Sequence, residues 1–385
     1  MAEKGEELLT CIALSGYYGF QNIGDEAILE AIITTLRRYR PEMELIVFSA
    51  DPLHTRETYE VEAISRTHLP SIIRVLRRTD LLISGGGGLL QDVTGPCSIP
   101  YYLGIMELAM LMGTRVAVYA HGVGPLHHNW SRFWVKKVLS GVDWISVRDP
   151  ASAQFLAELG VNREIKITAD PVYSLEPATR EEIFSFWEAH GVKKSRMEPL
   201  VGIALRPYPG ETEFDQRLLQ IIGSGCNYLQ REFGARLVYL PYHLEKDLPL
   251  ARALASLTSA QGIIFEQSLS SREILKLMGG LDLLVGMRLH ALIFAAICGV
   301  PFVALPYDPK VNAFLEYMGE NAFLPPEKLT FQELLASLKI ALYQGEERRE
   351  NLRLKIKEQK DEVERAIGEL LALASAAKGN RAKIL

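Results

Sequence analysis

The sequence predicts a parallel α/β protein built in two halves and finished by a charged helix. Three observations carry this. Short apolar, β-branched runs alternate with longer stretches of helical period, the pattern of strands joined by crossover helices. The length of 385 residues exceeds the size at which a single hydrophobic core stops growing. Residues 345–376 are densely charged at helical spacing and hold no strand-like run.

Taken in order, the strand candidates of the first half are LTCIALSG, ELIVFSA, DLLISGG, RVAVYAHG, WISVRD and IKITADP. Helical patterns such as EAILEAIITTLRRYR and PASAQFLAELG lie between them. In the second half the strands are VGIALRP, RLVYLPY, GIIFEQ, DLLVGM and PFVALPY. Between these, Ser270 and Glu273 of SSREILKLMGG have capping-box spacing. The polar span 176–199, bounded by Pro177 and Pro199, reads as the junction. The expected domains are 1–185, 186–344 and a helical tail, 345–385.

Composition narrows the function classes. With 48% hydrophobic and 23% charged residues, this is an ordinary globular chain. A net charge of −5 gives no electrostatic footprint for nucleic acid, so an anionic ligand must be held by local cations. The N-terminus lacks a signal-peptide pattern. The longest apolar run, 291–306, is broken by Gly299 and Pro301. Cys11, Cys97, Cys226 and Cys298 are scattered without a pairing motif and read as reduced thiols of a cytoplasmic protein.

In doubly wound sheets ligands bind beyond the carboxyl ends of the strands, so the residues after each strand are the candidates. SGYYGFQNIGDEAIL has Gly19 and Gly24 at P-loop spacing, but Asp25 and Glu26 stand where Lys and Ser/Thr are required. In this loop Asn22 and Asp25 are candidate cleft residues, Asp25 either as a helix cap or on an acceptor hydroxyl. Gly85–Gly88 suggests a ligand-approach loop, with Gly87 and Gly88 nearest the cleft. His121 follows the next strand, and the later His127 and His128 lack metal-ligand spacing. Asp149 and Pro150 suit a helix start, which places Arg148 at a strand tip as an anion ligand. Arg206, and His243 with Asp247, occupy similar tips. Arg288, Leu289 and His290 fall in the turn and first helical turn after DLLVGM, beside orphan amides and a positive helix end. Two cationic side chains there call for an anionic partner.

SGYYGFQNIGDEAIL, SGGGGLLQD, AHGVGP, SVRDPAS, TADPVYSL and GMRLHALIFAAICGVPFVALPYDPK resemble, in order and spacing, the polysaccharide pyruvyl transferase family. The GYYGFQNIGDEA form is most similar to the branch that pyruvylates bacterial secondary cell-wall polymers, whose ketal is recognised by surface-layer homology domains. The resemblance implies two Rossmann-like domains facing a cleft in a glycosyltransferase-B-like fold, with the acceptor on the N-terminal side and the donor on the C-terminal side. It implies phosphoenolpyruvate as donor and an N-acetylmannosamine residue as acceptor, lipid-linked or in polymer, at the inner membrane face. Arg148, Arg288, Leu289 and His290 are then expected at the donor. Arginine forks suit a carboxylate and a phosphate, and His290 would protonate the enol methylene. Asp25 or Asp247 would serve as base, and no step needs a metal or redox cofactor. A nucleotide-sugar glycosyltransferase and a non-catalytic glycan-binding protein are the alternatives on the same fold.

Overall fold

The computed structural model describes residues 10–92, 98–192, 198–208, 212–259, 262–320 and 324–381, so Cys97 lies outside the described residues. The chain forms two compact units, Met1–Ser174 with Gln359–Leu385, and Leu175–Glu358.

The first unit holds a parallel seven-stranded sheet in the order β3-β2-β1-β4-β5-β6-β7. Its strands are β1 (Cys11–Ser15), β2 (Glu44–Ser49), β3 (Glu62–Ser65), β4 (Leu81–Leu90), β5 (Arg115–Val123), β6 (Trp144–Val147) and β7 (Lys166–Ile167). The second unit repeats the plan with five parallel strands, β10-β9-β8-β11-β12. These are β8 (Leu200–Ala204), β9 (Arg236–Tyr239), β10 (Ile263–Ile264), β11 (Leu283–Gly286) and β12 (Phe302–Ala304). Ile12, Leu82, Val116 and Val201, Leu237, Leu284 are fully buried, as central strands covered on both faces require.

Local signals act as their chemistry demands. Asp149 accepts the Ser152 N–H at 2.7 Å and caps the helix Pro150–Leu159. Ser270 and Glu273 close a capping box on the helix Ser271–Gly279.

Two boundaries differ from expectation. A break at 185 would cut the helix Arg180–Ala189, whose Trp187 and Ile183 pack against Gly280 and Gly279 of the second unit. The chain therefore changes unit earlier, after Ser174. Nor is the tail a separate element, because the helix Gly345–Arg381 ends on the first unit. There Glu369 accepts from Trp144 and Lys166 at 2.7 Å each, and Glu364 pairs with Arg38. Cys11, Cys226 and Cys298 are free thiols, pushed up to about 12 by burial.

Candidate functional site

In each sheet the strand order reverses direction at one point, between β1 and β4 in the first unit and between β8 and β11 in the second. Ligand crevices form outside the strand ends at such points.

In the second unit Ala204 and Gly286 are register partners, and the Met287 N–H donates to Ala204 O at 2.9 Å. Arg206 and Arg288 thus leave the sheet from neighbouring strands, each two residues past its partner. Arg288 is the N-cap of the helix Leu289–Ile297, with extended backbone and no side-chain cap bond. Its guanidinium instead forks onto Asp247, with Nε donating to Oδ2 at 3.0 Å and Nη2 donating to Oδ1. Asp247 lies in the first turn of the helix Leu244–Ser256, its side chain fully buried. It also accepts the N–H groups of His243 at 3.0 Å and Tyr242 at 3.2 Å.

This corrects two expectations. Asp247 is no available base, because four donors occupy its oxygens in a buried site. The anion that makes Arg288 tolerable is, in part, supplied by the protein itself. The fork uses Nε and Nη2, which leaves Nη1 of a side chain 20% exposed as the nitrogen a ligand can meet.

Arg206 donates from Nη1 to Tyr307 Oη at 2.9 Å and from Nε to Pro207 O at 3.2 Å. Its guanidinium lies 4.4 Å from the Tyr307 ring centroid, and no carboxylate among the described residues pairs with it. Among the side chains these bonds bring together, two guanidinium groups stand against one carboxylate. His290 sits half-buried in the first turn of its helix, whereas the Leu289 side chain belongs to the core. Only the Leu289 backbone is therefore placed to face a ligand. Burial holds the His243 imidazole below its ordinary pKa, Lys246 and Arg288 acting the same way and Asp247 against.

In the first unit several candidates move inward. Asn22, not Asp25, caps the helix Ile23–Tyr39, its Oδ1 accepting the Gly24 N–H at 3.0 Å. The four glycines are not a loop, because β4 runs through them. A side chain at Gly85 would strike Tyr18, a Cβ on Gly86 would press on Ile28 at 3.1 Å, and a Cβ on Gly87 (φ +94°) would lie 2.8 Å from Asp25 Oδ1. Gly88 alone faces open space. Tyr18 folds over Gly16 and Gly85 and fills the β1–β4 crevice where a Rossmann dinucleotide fold leaves room for pyrophosphate.

Arg148 is also not an open strand tip. Its Nη1 donates to Asp170 Oδ2 at 2.8 Å, and the two side chains are only 7% and 3% exposed. Its Nε is buried without a partner. His121 is wholly buried on β5 and lies 3.0 Å from Ser84 O through Nε2. Burial pushes its pKa down to about 4, with the Ser84 bond opposing and Arg148 reinforcing. Among the described residues no cluster of His, Cys, Asp or Glu could hold a metal. His127 and His128 instead donate their backbone N–H groups to Asp92. Tyr18 and Tyr307, which sequence reasoning passed over, each follow a strand by three residues, and that position was their available signal.

The family model for polysaccharide pyruvyl transferase matches residues 22–309 of the chain. The chain belongs to the polysaccharide pyruvyl transferase family. Family membership makes it a transferase of polysaccharide modification, and the matched span contains every candidate above. The chain is similar to the amylovoran biosynthesis protein AmsJ of Erwinia amylovora, with 22% identity over 87% of this chain and 91% of that protein. Among solved structures, HepE of Anabaena in complex with UDP-glucose superposes with a TM-score of 0.63 at 14% identity, covering 94% of this chain and 99% of that one. A glycosyltransferase from Rickettsia africae gives 0.62 at 12% identity, covering 94% and 99%. These likenesses establish a glycosyltransferase-B-like α/β fold for the family member described here. Among the described residues no helix is long and apolar enough to cross a membrane.

Proposed function

We propose that the protein transfers pyruvate from phosphoenolpyruvate onto two hydroxyls of a glycan sugar, forming a cyclic ketal and releasing phosphate. One observation carries this reading: the Arg288–Asp247 fork at the β8–β11 crevice, with Arg206 leaving the neighbouring strand and paired with no carboxylate among the described residues. A guanidinium fixed in direction by a buried acid, beside a second cation, suits a small ligand with two anionic groups.

In this mechanism Arg288 Nη1 and Arg206 hold the carboxylate and phosphate of the donor. Arg148, already neutralised by Asp170, has less charge to offer an anion than its strand-end position implied. Protonated His290 gives its proton to the C3 methylene, and C2 becomes electrophilic. The first sugar hydroxyl attacks C2 and loses its proton to a base. The C2–O bond to phosphate then breaks, and the second hydroxyl closes the ring with loss of its own proton. Of the two protons released, one replaces that spent on C3 and the other leaves with phosphate. His243, held neutral, takes the base role in place of Asp247. No step calls on a metal or redox centre.

The GYYGFQNIGDEA loop supports an N-acetylmannosamine acceptor of a secondary cell-wall polymer, presented at the inner membrane face and later bound by surface-layer proteins. The test mixes the protein, phosphoenolpyruvate and mannosaminide glycosides, and measures phosphate release and product mass. His290→Ala is expected to abolish turnover while donor binding persists. Wild-type rates in that variant, or turnover with UDP-glucose in place of phosphoenolpyruvate, overturn the reading.

A further inference from the structure

A second constellation stands at the carboxyl edge of the first sheet, beyond strand β3, whereas Arg148 follows β6. Arg66 follows β3, and its backbone N–H is tied to Ser49 O at 2.9 Å. Its guanidinium lies 3.9 Å from the Tyr101 ring centroid, 4.9 Å from Phe20 and 5.5 Å from Tyr102. An arginine with a structural role spends its five N–H donors on protein acceptors. Among the described residues Arg66 has no ion pair, its Nη1 is buried with no partner at full hydrogen-bond distance, and its side-chain links run to the Tyr101 and Tyr102 phenols rather than to a carboxylate.

The surroundings are equally unsatisfied. Among the described residues Ser15 Oγ, Tyr18 Oη and Tyr101 Oη are also buried with no partner at full hydrogen-bond distance. Burial raises the pKa of the Tyr101 phenol, while Arg66 and Ser15 act on it in the opposite direction. Each such group costs free energy unless something else completes it.

At the mouth, Phe20 is 42% exposed and stacks on Tyr17 with centroids 4.0 Å apart and planes 8° from parallel. The loop that presents it is held firmly. The Gly19 N–H donates to buried Glu26 at 2.8 Å, and the Ala50 N–H donates to Tyr18 O at 3.0 Å. With Tyr17 on one face of Phe20 and Arg66 over the other, the exposed edge of this stack, beside a guanidinium that no carboxylate among the described residues pairs, matches a pyranose ring that carries an oxyanion.

We propose that Phe20, Arg66 and Tyr101 form a subsite for an anionic sugar, with the ring against the exposed edge of the Tyr17–Phe20 stack and the oxyanion on Arg66. Placing it on the acceptor side rests on the transferase reading above, whereas the binding itself does not. The shared chemistry, a pyranose with a negative group, could come from a glycosyl phosphate or from an acidic sugar of the glycan.

The test uses the full chain without phosphoenolpyruvate and follows ligand protons by saturation-transfer NMR. The probes are N-acetylglucosamine 1-phosphate, methyl glucuronide, methyl N-acetylglucosaminide and inorganic phosphate. At least one anionic sugar should bind at least tenfold more tightly than the neutral glycoside and than phosphate, and which one binds identifies the source. Arg66→Gln should weaken that binding at least tenfold, with Arg66→Lys in between. Phe20→Ala, at an exposed position that leaves the fold intact, should remove the transfer to sugar protons even if Arg66→Gln fails to fold. Equal binding of the neutral glycoside, binding indifferent to Phe20→Ala, or no binding of any probe overturns the subsite. Phosphate release from phosphoenolpyruvate is measured separately, so anionic-sugar binding without turnover would sink the transfer reading and leave the subsite standing.

Discussion

Replacing Asp247 by Asn tests how far one buried carboxylate organises the second unit. The wild-type side chain accepts two guanidinium N–H groups from Arg288 and the backbone N–H groups of Tyr242 and His243. Asparagine keeps one acceptor oxygen and turns an NH₂ group either toward Arg288 Nη2 or toward the three donors that Oδ2 accepts. Removing one partner of a buried ion pair costs about 3–5 kcal/mol. Arg288 is 20% exposed, so water resolvates part of the freed guanidinium and the lower end, about 3 kcal/mol, applies. For a domain of this size each kcal/mol moves the midpoint by about 2–4 °C, giving a fall of about 6–12 °C. Calorimetry reads this on the transition assigned to the second unit, and titration with phosphoenolpyruvate should show donor affinity at least tenfold weaker, since the fork that aims Arg288 is lost. A midpoint within about 2 °C of wild type, with donor affinity unchanged, would show that the pair neither stabilises the unit nor orients the arginine.

Arg288→Lys keeps the charge but cannot reproduce the fork, so donor affinity should fall about tenfold in equilibrium titration. Because the pKa of His121 is about 4 when folded and 6.5 otherwise, the unfolded chain binds the extra proton between those values. Its contribution of about 3 kcal/mol is complete above pH 6.5 and is lost as the pH falls toward 4. Urea titrations between these limits should show the slope, and His121→Asn should flatten it. A Cβ on Gly280 would overlap Trp187 Nε1, and Trp187 is 1% exposed, so Gly280→Ala should cost about 1–3 kcal/mol in denaturant unfolding. Adding Trp187→Phe should recover part of that loss.

The alternation of strands and helices was legible because each buried strand is a nearly continuous apolar run. β3 escaped notice for the converse reason: in EAIS only Ala63 is buried, at the sheet edge. The caps at Asp149 and Ser270 could be read because both partners lie within three residues. The glycine run could not, because its cause, Tyr18 and Ile28 packing from a distant loop and helix, is invisible along the chain. The same distance hid the Arg288–Asp247 fork, whose members are 41 residues apart. Local spacing reports the chemistry of turns and caps, whereas burial and pairing depend on which strands become neighbours.

Tyr18 packs its ring where side chains on Gly16 and Gly85 would otherwise stand. These three positions therefore form one unit of inheritance. A lineage can acquire alanine at 16 or 85 only after residue 18 has shrunk, and a large aromatic can return to 18 only once both glycines are back. Sequence drift at the mouth of the first sheet is thereby constrained in order as well as in kind, and a chain carrying alanine at both positions should carry a small residue at the third.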